Sequence, residues 1–227
     1  MKKVLFLFVA AIAMAAVMSS CSSKKETKKI GDQYEMTEVN GKFGMKDVSG
    51  HVVLTPDFDQ INDMQEFKAV FATQGDLTTI VVNGSIIASG IKVESVTPVE
   101  NNPAFAYIVA DGGKKLLWRL GTGSTFGPFT DICLIEDIVF LNTDGKWGAT
   151  TTDLHGLAPR QYDKIIVVKN GDNLGVLVHG KEWSMYDRDG VSNGAKYNIP
   201  AKQLEKQIKG LNLGDKEVAV ANVDWKL

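Results

Sequence analysis

An internal repeat limits the folds open to this chain more than any other feature of the sequence. Residues 41–61 (GKFGMKDVSGHVVLTPDFDQI) align without a gap with residues 145–165 (GKWGATTTDLHGLAPRQYDKI). The identical pairs are Gly41/Gly145, Lys42/Lys146, Gly44/Gly148, His51/His155, Asp59/Asp163 and Ile61/Ile165. Weaker copies begin near Asn83, Gly113 and Lys181. Repeats spaced by a few tens of residues indicate a fold built from similar units that pack side by side.

Turn signals and short apolar runs indicate the structure of each unit. Asn-Gly or Asp-Gly, which suit two-residue type I′ hairpin turns, occurs at Asn40-Gly41, Asn83-Gly84, Asp144-Gly145, Asn170-Gly171 and Asp189-Gly190. The runs predicted as strands are 52–54, 69–72, 77–82, 105–110, 115–120, 132–141, 165–168 and 174–179. We therefore predict an all-β fold of repetitive short antiparallel strands, arranged as a propeller-like, solenoid or meander structure.

One short helix is expected near the C-terminus, at residues 200–210. Pro200 suits the first turn of a helix, Gly210 suits its end, and Leu204 and Ile208 fall on one face. A closing strand is expected at residues 217–223. The helix would then cap one end of the β structure.

The aromatic positions of the repeat resemble the WG-repeat family of bacterial proteins. Repeats of that family have a lysine, an aromatic residue that is usually Trp, a glycine, and later a Tyr-Asp pair. The matching positions, taken as candidate structural or binding residues, are Phe43, Gly44, Phe58, Asp59, Trp147, Gly148, Tyr162, Asp163 and Trp183. Phe replaces the usual Trp and Tyr in the first copy, and no glycine follows Trp183. The resemblance implies repetitive β structure and a binding or scaffolding role, and it does not imply an enzyme.

The N-terminus predicts a cleaved export signal, residues 1–20. Lys2 and Lys3 precede an uninterrupted apolar run at residues 4–18, which would span roughly 22 Å as a helix and is too short to cross a membrane. Cys21 follows two serines, and this junction resembles the lipobox of bacterial lipoproteins. The resemblance implies that Cys21 is acylated, with palmitate as one such chain, and becomes the first mature residue.

The predicted organisation continues with a tether at residues 21–33 and a WG-repeat-like β domain at 34–227. The tether is rich in lysine and serine and has little apolar surface to bury. The expected location is the bacterial cell envelope, with the protein held in the bilayer by acylated Cys21. Serine after the cysteine favours the periplasmic side of the outer membrane.

Charge and cysteine content exclude several classes of function. The chain has 25 basic and 27 acidic residues, and loss of Lys2 and Lys3 with the signal makes the mature part more acidic. Nucleic-acid binding would need a basic excess, so no nucleic-acid partner is expected. With Cys21 acylated, Cys133 is the only remaining thiol, which excludes an intrachain disulfide. Its apolar neighbours predict a buried and unreactive side chain.

Catalytic and cofactor motifs are missing from the sequence, so we predict no catalytic residues, no metal and no cofactor. The nucleophile motif G-x-S-x-G does not occur. Residues 121–127 have one residue too many for a dinucleotide loop. A zinc site would need clustered ligands, and His51 and His155 occupy equivalent repeat positions that favour turns.

Three functional hypotheses remain open. The first is a non-enzymatic protein-binding or scaffold module whose partner is an unidentified envelope protein. The alternative is a lipoprotein that binds glycan or peptidoglycan through exposed tryptophan, with Trp118, Trp183 and Trp225 as candidates. A divergent hydrolase with acidic residues around Asp187 or Glu136 is the third.

Overall fold

The structure is a computed structural model, and it describes residues 28–227. The predicted signal peptide at 1–20, Cys21 and the first part of the predicted tether lie outside the described residues. Within the described part, twenty strands form five four-stranded sheets. This arrangement confirms the all-β, repetitive fold class predicted from the sequence.

The first two sheets each consist of four strands that are consecutive in the chain. The first contains β1 (Lys29–Ile30), β2 (Tyr34–Val39), β3 (Lys42–Asp47) and β4 (Val52–Phe58). The second contains β5 (Gln60–Met64), β6 (Ala69–Gln74), β7 (Leu77–Val82) and β8 (Ser85–Ile91), with a 3₁₀ turn at Gln65–Phe67. Strand β1 lies in the range predicted as tether; it pairs with β2, and Ile30 is buried in the core of unit 1. A two-residue strand with one apolar residue leaves no alternating pattern in the sequence.

The third and fourth sheets follow the same plan. The third contains β9 (Val93–Val99), β10 (Asn102–Ala110), β11 (Lys114–Arg119) and β12 (Thr125–Phe129). The fourth contains β13 (Asp131–Ile135), β14 (Ile138–Thr143), β15 (Lys146–Thr151) and β16 (Gly156–Tyr162). Each strand of the fourth sheet pairs antiparallel with the next one in the chain.

The fifth sheet departs from this plan because its fourth strand arrives from the end of the chain. It contains β17 (Lys164–Asn170), β18 (Asn173–His179), β19 (Trp183–Asp187) and β20 (Val218–Asn222), in the order β19-β18-β17-β20. Strand β20 pairs parallel with β17, from Ile165↔Val218 to Lys169↔Asn222. The closing strand was predicted at 217–223, but its parallel pairing differs from the purely antiparallel arrangement that we expected.

Two helices lie between β19 and β20: α1 (Gly190–Asn193) and α2 (Ala201–Gly210). Helix α2 confirms the predicted C-terminal helix, although Pro200 is its N-cap and Gly210 its last helical residue. Leu204 is buried on the inner face of α2, as the helical spacing predicts. Neither α1 nor α2, the helices of the described part, has the length and apolar content needed to span a membrane.

Three of the predicted hairpin turns have the expected backbone. Asn40-Gly41 (φ 52° and 77°), Asn83-Gly84 (49° and 76°) and Asp144-Gly145 (52° and 79°) have positive φ at both positions, as type I′ turns require. Around Asn170 the turn shifts by one residue, because Asn170 pairs with Asn173 and leaves Gly171 (φ 57°) at its first position.

Two local predictions were wrong. Asp189-Gly190 forms no hairpin turn, because Asp189 has φ −101° and Gly190 begins α1. Position 190 requires a glycine for a steric reason: a Cβ there would lie 2.5 Å from the carbonyl oxygen of Ala195. The run predicted as one strand at 132–141 forms two, β13 and β14. The turn between them has Glu136 at φ 56°, a conformation that no apolar pattern reveals.

Backbone contacts divide the described chain into two compact units. Unit 1 comprises residues 28–95 together with Leu120–Gly123, and unit 2 comprises Val96–Arg119 together with Ser124–Leu227. The predicted single domain at 34–227 therefore contains two compact units.

Each unit has its own hydrophobic core. Met45, Ala72 and Val81 are almost fully buried in unit 1. In unit 2, β17 is buried on both faces: Ile165 and Val167 pack toward Phe140 and Trp147 of the fourth sheet, whereas Ile166 and Val168 pack in the cluster that contains Leu204 of α2. Alternate residues of a strand point to opposite faces, so a strand covered on both sides is a continuous apolar run.

Candidate functional site

The lysine and aspartate of the repeat form an ion pair in both clear copies. Lys42 Nζ lies 2.5 Å from Asp59 Oδ1, and Lys146 Nζ lies 2.5 Å from Asp163 Oδ1. Each lysine opens the third strand of its sheet, and each aspartate lies between that sheet and the next. The repeat motif therefore joins a strand to the connection that leads into the following sheet.

The same ion pair recurs in the two intervening sheets. Lys115 of β11 pairs with Asp131 at 2.7 Å. In the second sheet the charges are exchanged, since Asp76 precedes the third strand and Lys92 follows the fourth, at 3.2 Å. The weaker copy beginning near Gly113 includes Lys115 and Asp131, whereas the exchanged pair was missed because a search for identical residues does not find it.

The repeat glycines Gly44 and Gly148 are needed for close approach of the fourth strand. A Cβ on Gly44 would lie 2.6 Å from the carbonyl oxygen of Leu54, and one on Gly148 would lie 2.9 Å from that of Ala158. Both sites coincide with register shifts between the third and fourth strands. Glycine allows these close contacts because it has no Cβ.

The repeat aromatics face each other across the same strand pair. Phe43 is the register partner of Phe58, and Trp147 is the partner of Tyr162. Trp147 is buried, and its Nε1 donates a hydrogen bond of 2.7 Å to Glu217 Oε2. These pairs stabilise the sheets; Trp147 is buried, whereas Phe43, Phe58 and Tyr162 are half-buried.

Trp183, the second tryptophan among the predicted motif residues, differs from the other repeat aromatics. It opens β19, is half-buried, and packs against the apolar cluster beneath α2. Trp225 is also half-buried, whereas Trp118 is fully buried. Trp183 and Trp225 thus retain some accessible indole surface.

The two repeat histidines occupy equivalent turns. The carbonyl oxygen of His51 accepts from the amide of Asp47, and that of His155 accepts from the amide of Thr151, both at 2.9 Å. Their rings contact carboxylates, His51 Nδ1 with Asp47 at 3.1 Å and His155 Nε2 with Asp189 at 2.9 Å. Across residues 28–227, no three His, Cys, Asp or Glu side chains are grouped as a metal site.

The acidic residues named in the hydrolase hypothesis, Glu136 and Asp187, accept hydrogen bonds from other residues of the fold. Glu136 accepts from Lys169 Nζ at 2.6 Å, and Asp187 Oδ1 accepts from the amide of Asp189 at 3.1 Å. Cys133 is half-buried, and desolvation together with nearby Asp131 raises the pKa of its thiol to about 12. A thiol with that pKa is protonated at neutral pH and is a poor nucleophile.

One groove in unit 1 is lined by both apolar and polar side chains. It has a volume of about 900 Å³ and lies beside the turn between β3 and β4. We call it the valine groove, defined by Tyr34, Val48, Val52, Val53 and Ile86, with Asp32, Asp47 and His51 at its polar positions. Sequence reasoning missed it, although Val48 and Val52 beside the Ser49-Gly50 turn could have indicated exposed apolar residues.

The polar side of the valine groove is negatively charged. The backbone amide of His51, together with its ring and the Ser49 amide, donates to Asp47 and holds the pKa of that carboxyl below its ordinary value. Asp47 is therefore ionised at neutral pH. No lysine or arginine belongs to the lining residues of the valine groove.

No protein-family model matches the chain, and no curated protein matches it either. Among solved structures, it is similar to Hsv2p of Kluyveromyces lactis, with 15% identity, a TM-score of 0.25, and coverage of 74% of this chain and 63% of that one. It is also similar to the WD40 β-propeller domain of Doa1, with 8% identity, a TM-score of 0.25, and coverage of 74% and 64%.

A third similar structure is PorZ of Porphyromonas gingivalis, described as an essential bacterial surface component of the type-IX secretion system. The identity is 12%, the TM-score is 0.22, and the match covers 68% of this chain and 25% of PorZ. The chain thus spans less than two thirds of each of these proteins. Because every TM-score lies below 0.5, we base no argument about function on these similarities.

Proposed function

We propose that this chain is a lipid-anchored protein of the bacterial envelope whose β structure binds a partner protein and catalyses no reaction. The anchor follows from residues 1–21, where an export signal ends at a cysteine in a lipobox-like setting. Acylation at Cys21 would hold the protein at the membrane, because several acyl chains together give lasting attachment.

The exposed apolar surface of the valine groove is the observation that supports a binding role. Val48 is 71% exposed, Val52 is 70% exposed and Ile86 is 53% exposed. Exposed apolar side chains that adjoin one another mark interaction surfaces more often than isolated ones do. These three line one groove, whereas Val39, Leu77 and Leu154, the other exposed large apolar residues within 28–227, do not belong to its lining.

The charges of the valine groove define the chemistry of the partner. Asp32 and Asp47 line the groove together with His51, and no Lys or Arg belongs to the lining. A protein segment that inserts an apolar side chain between Val48 and Val52, with Lys or Arg on either side, would complement both properties. We therefore propose a partner with a basic and apolar segment.

Site-specific photo-crosslinking in the native envelope tests this proposal. A photoreactive amino acid is placed at Val52 in one variant and at Leu154 in its control. Leu154 is equally accessible at 72% but belongs to unit 2. We expect one protein to be crosslinked from Val52 and not from Leu154, and its purified form to bind the full chain directly.

Charge variants at Val48 test whether the partner segment is basic. Val48→Lys places a positive charge on an exposed position of the groove, so it should weaken binding of a basic partner, whereas Val48→Asp should preserve or strengthen it. A well-folded, abundant protein that gives no crosslink from Val52 would contradict the binding proposal. Substrate turnover by the purified chain would contradict its non-enzymatic part.

Glycan binding is the second candidate function, and the accessible indole surface favours it at two positions. Trp183 and Trp225 are half-buried, so part of each indole ring is accessible for stacking on a sugar. Titration of the chain with peptidoglycan fragments, followed by tryptophan fluorescence, tests this candidate. A spectrum that no fragment changes would exclude it.

A further inference from the structure

A pocket in unit 2 combines an aromatic wall with three lysines. It has a volume of about 250 Å³ and lies between the C-terminal end of α2 and the strands β17 and β19. Lys164, Lys209, Lys216, Trp183 and Asn212 are its polar and aromatic lining residues. We call this the lysine pocket.

Strand register produces one wall of the lysine pocket. Lys164 of β17 is the register partner of His179 of β18, which in turn is the partner of Trp183 of β19. Side chains at paired positions lie on the same face of a sheet, so these three form one row. The rings of His179 and Trp183 are 4.9 Å apart between centroids, with an angle of 60° between their planes.

The second wall comes from the segment after α2. Lys209 lies in the last turn of the helix, and Asn212 and Lys216 follow in the connection to β20. The amide of Leu211 donates to the carbonyl oxygen of Ile208, and the amide of Lys216 donates to that of Leu213. These hydrogen bonds order the backbone that carries Lys209 and Lys216, whose side chains are exposed.

The charge of the lysine pocket is not neutralised by the protein. Within residues 28–227, Lys164, Lys209 and Lys216 form no salt bridge, and no Asp or Glu belongs to the pocket lining. The neighbouring carboxylates of Asp163 and Glu217 are engaged elsewhere, with Lys146 and with Trp147 respectively.

A further polar atom beside this wall has no partner. His179 Nδ1 is buried and forms no hydrogen bond within the described chain. Buried polar atoms without partners are uncommon and call for an explanation, such as a water or a ligand. His179 lies beside Trp183 but does not belong to the pocket lining, so the three lysines and Trp183 are the groups available to a ligand.

We propose that the lysine pocket binds a small anion, a phosphate or carboxylate group, which the three lysines contact while Trp183 covers any sugar ring attached to it. Lysine ammonium groups form charge-assisted hydrogen bonds with such anions, and tryptophan presents a flat face for stacking. The pocket volume is slightly below the usual range for drug-sized ligands, so it admits one ring-sized group. This site is independent of the valine groove.

Two sources of the anion have the same chemistry: a free or sugar-linked phosphate, and the carboxylate of a sugar acid. Isothermal titration calorimetry with the full chain in detergent distinguishes them, with inorganic phosphate, glucuronic acid and neutral glucose as probes. We expect saturable binding of at least one anion and none of glucose. Phosphate alone would assign the site to phosphate groups, and glucuronic acid alone would assign it to sugar acids.

A charge-matched pair of variants shows where the anion binds. The double variant K209Q/K216Q removes two pocket charges, and K202Q/K206Q removes two charges from exposed positions of α2 outside the pocket. We expect binding to weaken about tenfold or more in K209Q/K216Q, because each lysine contact is charge-assisted, and to change less than about twofold in the control.

The proposal is overturned by any of three results. These are equal losses in both double variants, binding of glucose as strong as that of glucuronic acid, or no saturable binding of either anion. Failure of the valine groove to crosslink a partner would leave this test unaffected, since the groove belongs to unit 1 and the lysine pocket to unit 2.

Discussion

Lys146 Nζ lies 2.5 Å from Asp163 Oδ1, and the equivalent atoms of Lys42 and Asp59 are separated by the same distance. In each case the lysine begins the third strand of a sheet and the aspartate begins the connection to the next sheet. The repeat motif thus has a structural role in closing each sheet. Of the motif residues, only Trp183 also lines one of the two proposed binding surfaces, the lysine pocket.

The ion pair between Lys146 and Asp163 makes stability depend on pH. The hydrogen bond from Lys146 lowers the pKa of Asp163 below its ordinary value of 3.8. A lowered folded-state pKa stabilises the fold above the unfolded pKa, and this contribution is lost as pH falls through the folded pKa. We expect the free energy of unfolding to fall below about pH 4, and to fall less in Asp163→Asn.

Urea unfolding at pH 7 and pH 3 measures this effect. Asp172→Asn is the control, because Asp172 lies in an exposed turn of unit 2 and belongs to none of the salt bridges within residues 28–227. The interpretation fails if Asp163→Asn and Asp172→Asn have the same pH dependence as the parent chain.

Gly148→Ala should destabilise unit 2 by about 1–3 kcal/mol, since the new methyl group would be forced against β16. The added Cβ would lie 2.6 Å from Arg160 Cγ and 2.9 Å from the carbonyl oxygen of Ala158. Gly156→Ala in the same sheet is the matched control, because nothing lies within 4 Å of its Cβ position. Chemical denaturation checks the difference, and equal stability of the two variants would refute the close-approach explanation.

Trp147→Phe should cost about 1–3 kcal/mol of stability because it removes the hydrogen bond from Nε1 to Glu217 and part of a buried ring. Glu217→Gln keeps an acceptor oxygen and should cost less. Glu182→Gln, the same charge change on an exposed loop, should leave stability unchanged. Thermal and urea unfolding measure all three, and a Glu217→Gln variant less stable than Trp147→Phe would contradict this assignment.

Cys133 should react slowly with thiol reagents in the folded protein. Burial raises the pKa of its thiol to about 12, so little thiolate is present at pH 8. Iodoacetamide labelling followed by mass spectrometry should show slow modification in buffer and rapid modification in urea. Rapid labelling of the native protein would show that the thiol is accessible and ionised.

Local sequence indicated half of the twenty strands, with β13 and β14 merged into one run, and several turns. The predicted strand at 77–82 coincides with β7 (Leu77–Val82), and Asn83-Gly84 forms the turn that follows it. These features depend on neighbouring residues alone: two positive φ angles favour Asn-Gly, and β-branched residues favour extended backbone. Helix α2 was predicted for the same reason, from the spacing of Leu204 and Ile208 within one segment.

Long-range pairing was decided only by the tertiary structure. The parallel pairing of β20 with β17 joins residues such as Ile165 and Val218, which no local pattern connects. The row of Lys164, His179 and Trp183 exists because the register of three strands aligns them. A strand sequence specifies which side chains share a face, but its register and its partners depend on packing between distant segments. The repeat, the turns and the helix were therefore readable in the sequence, whereas the lysine pocket and the valine groove were not.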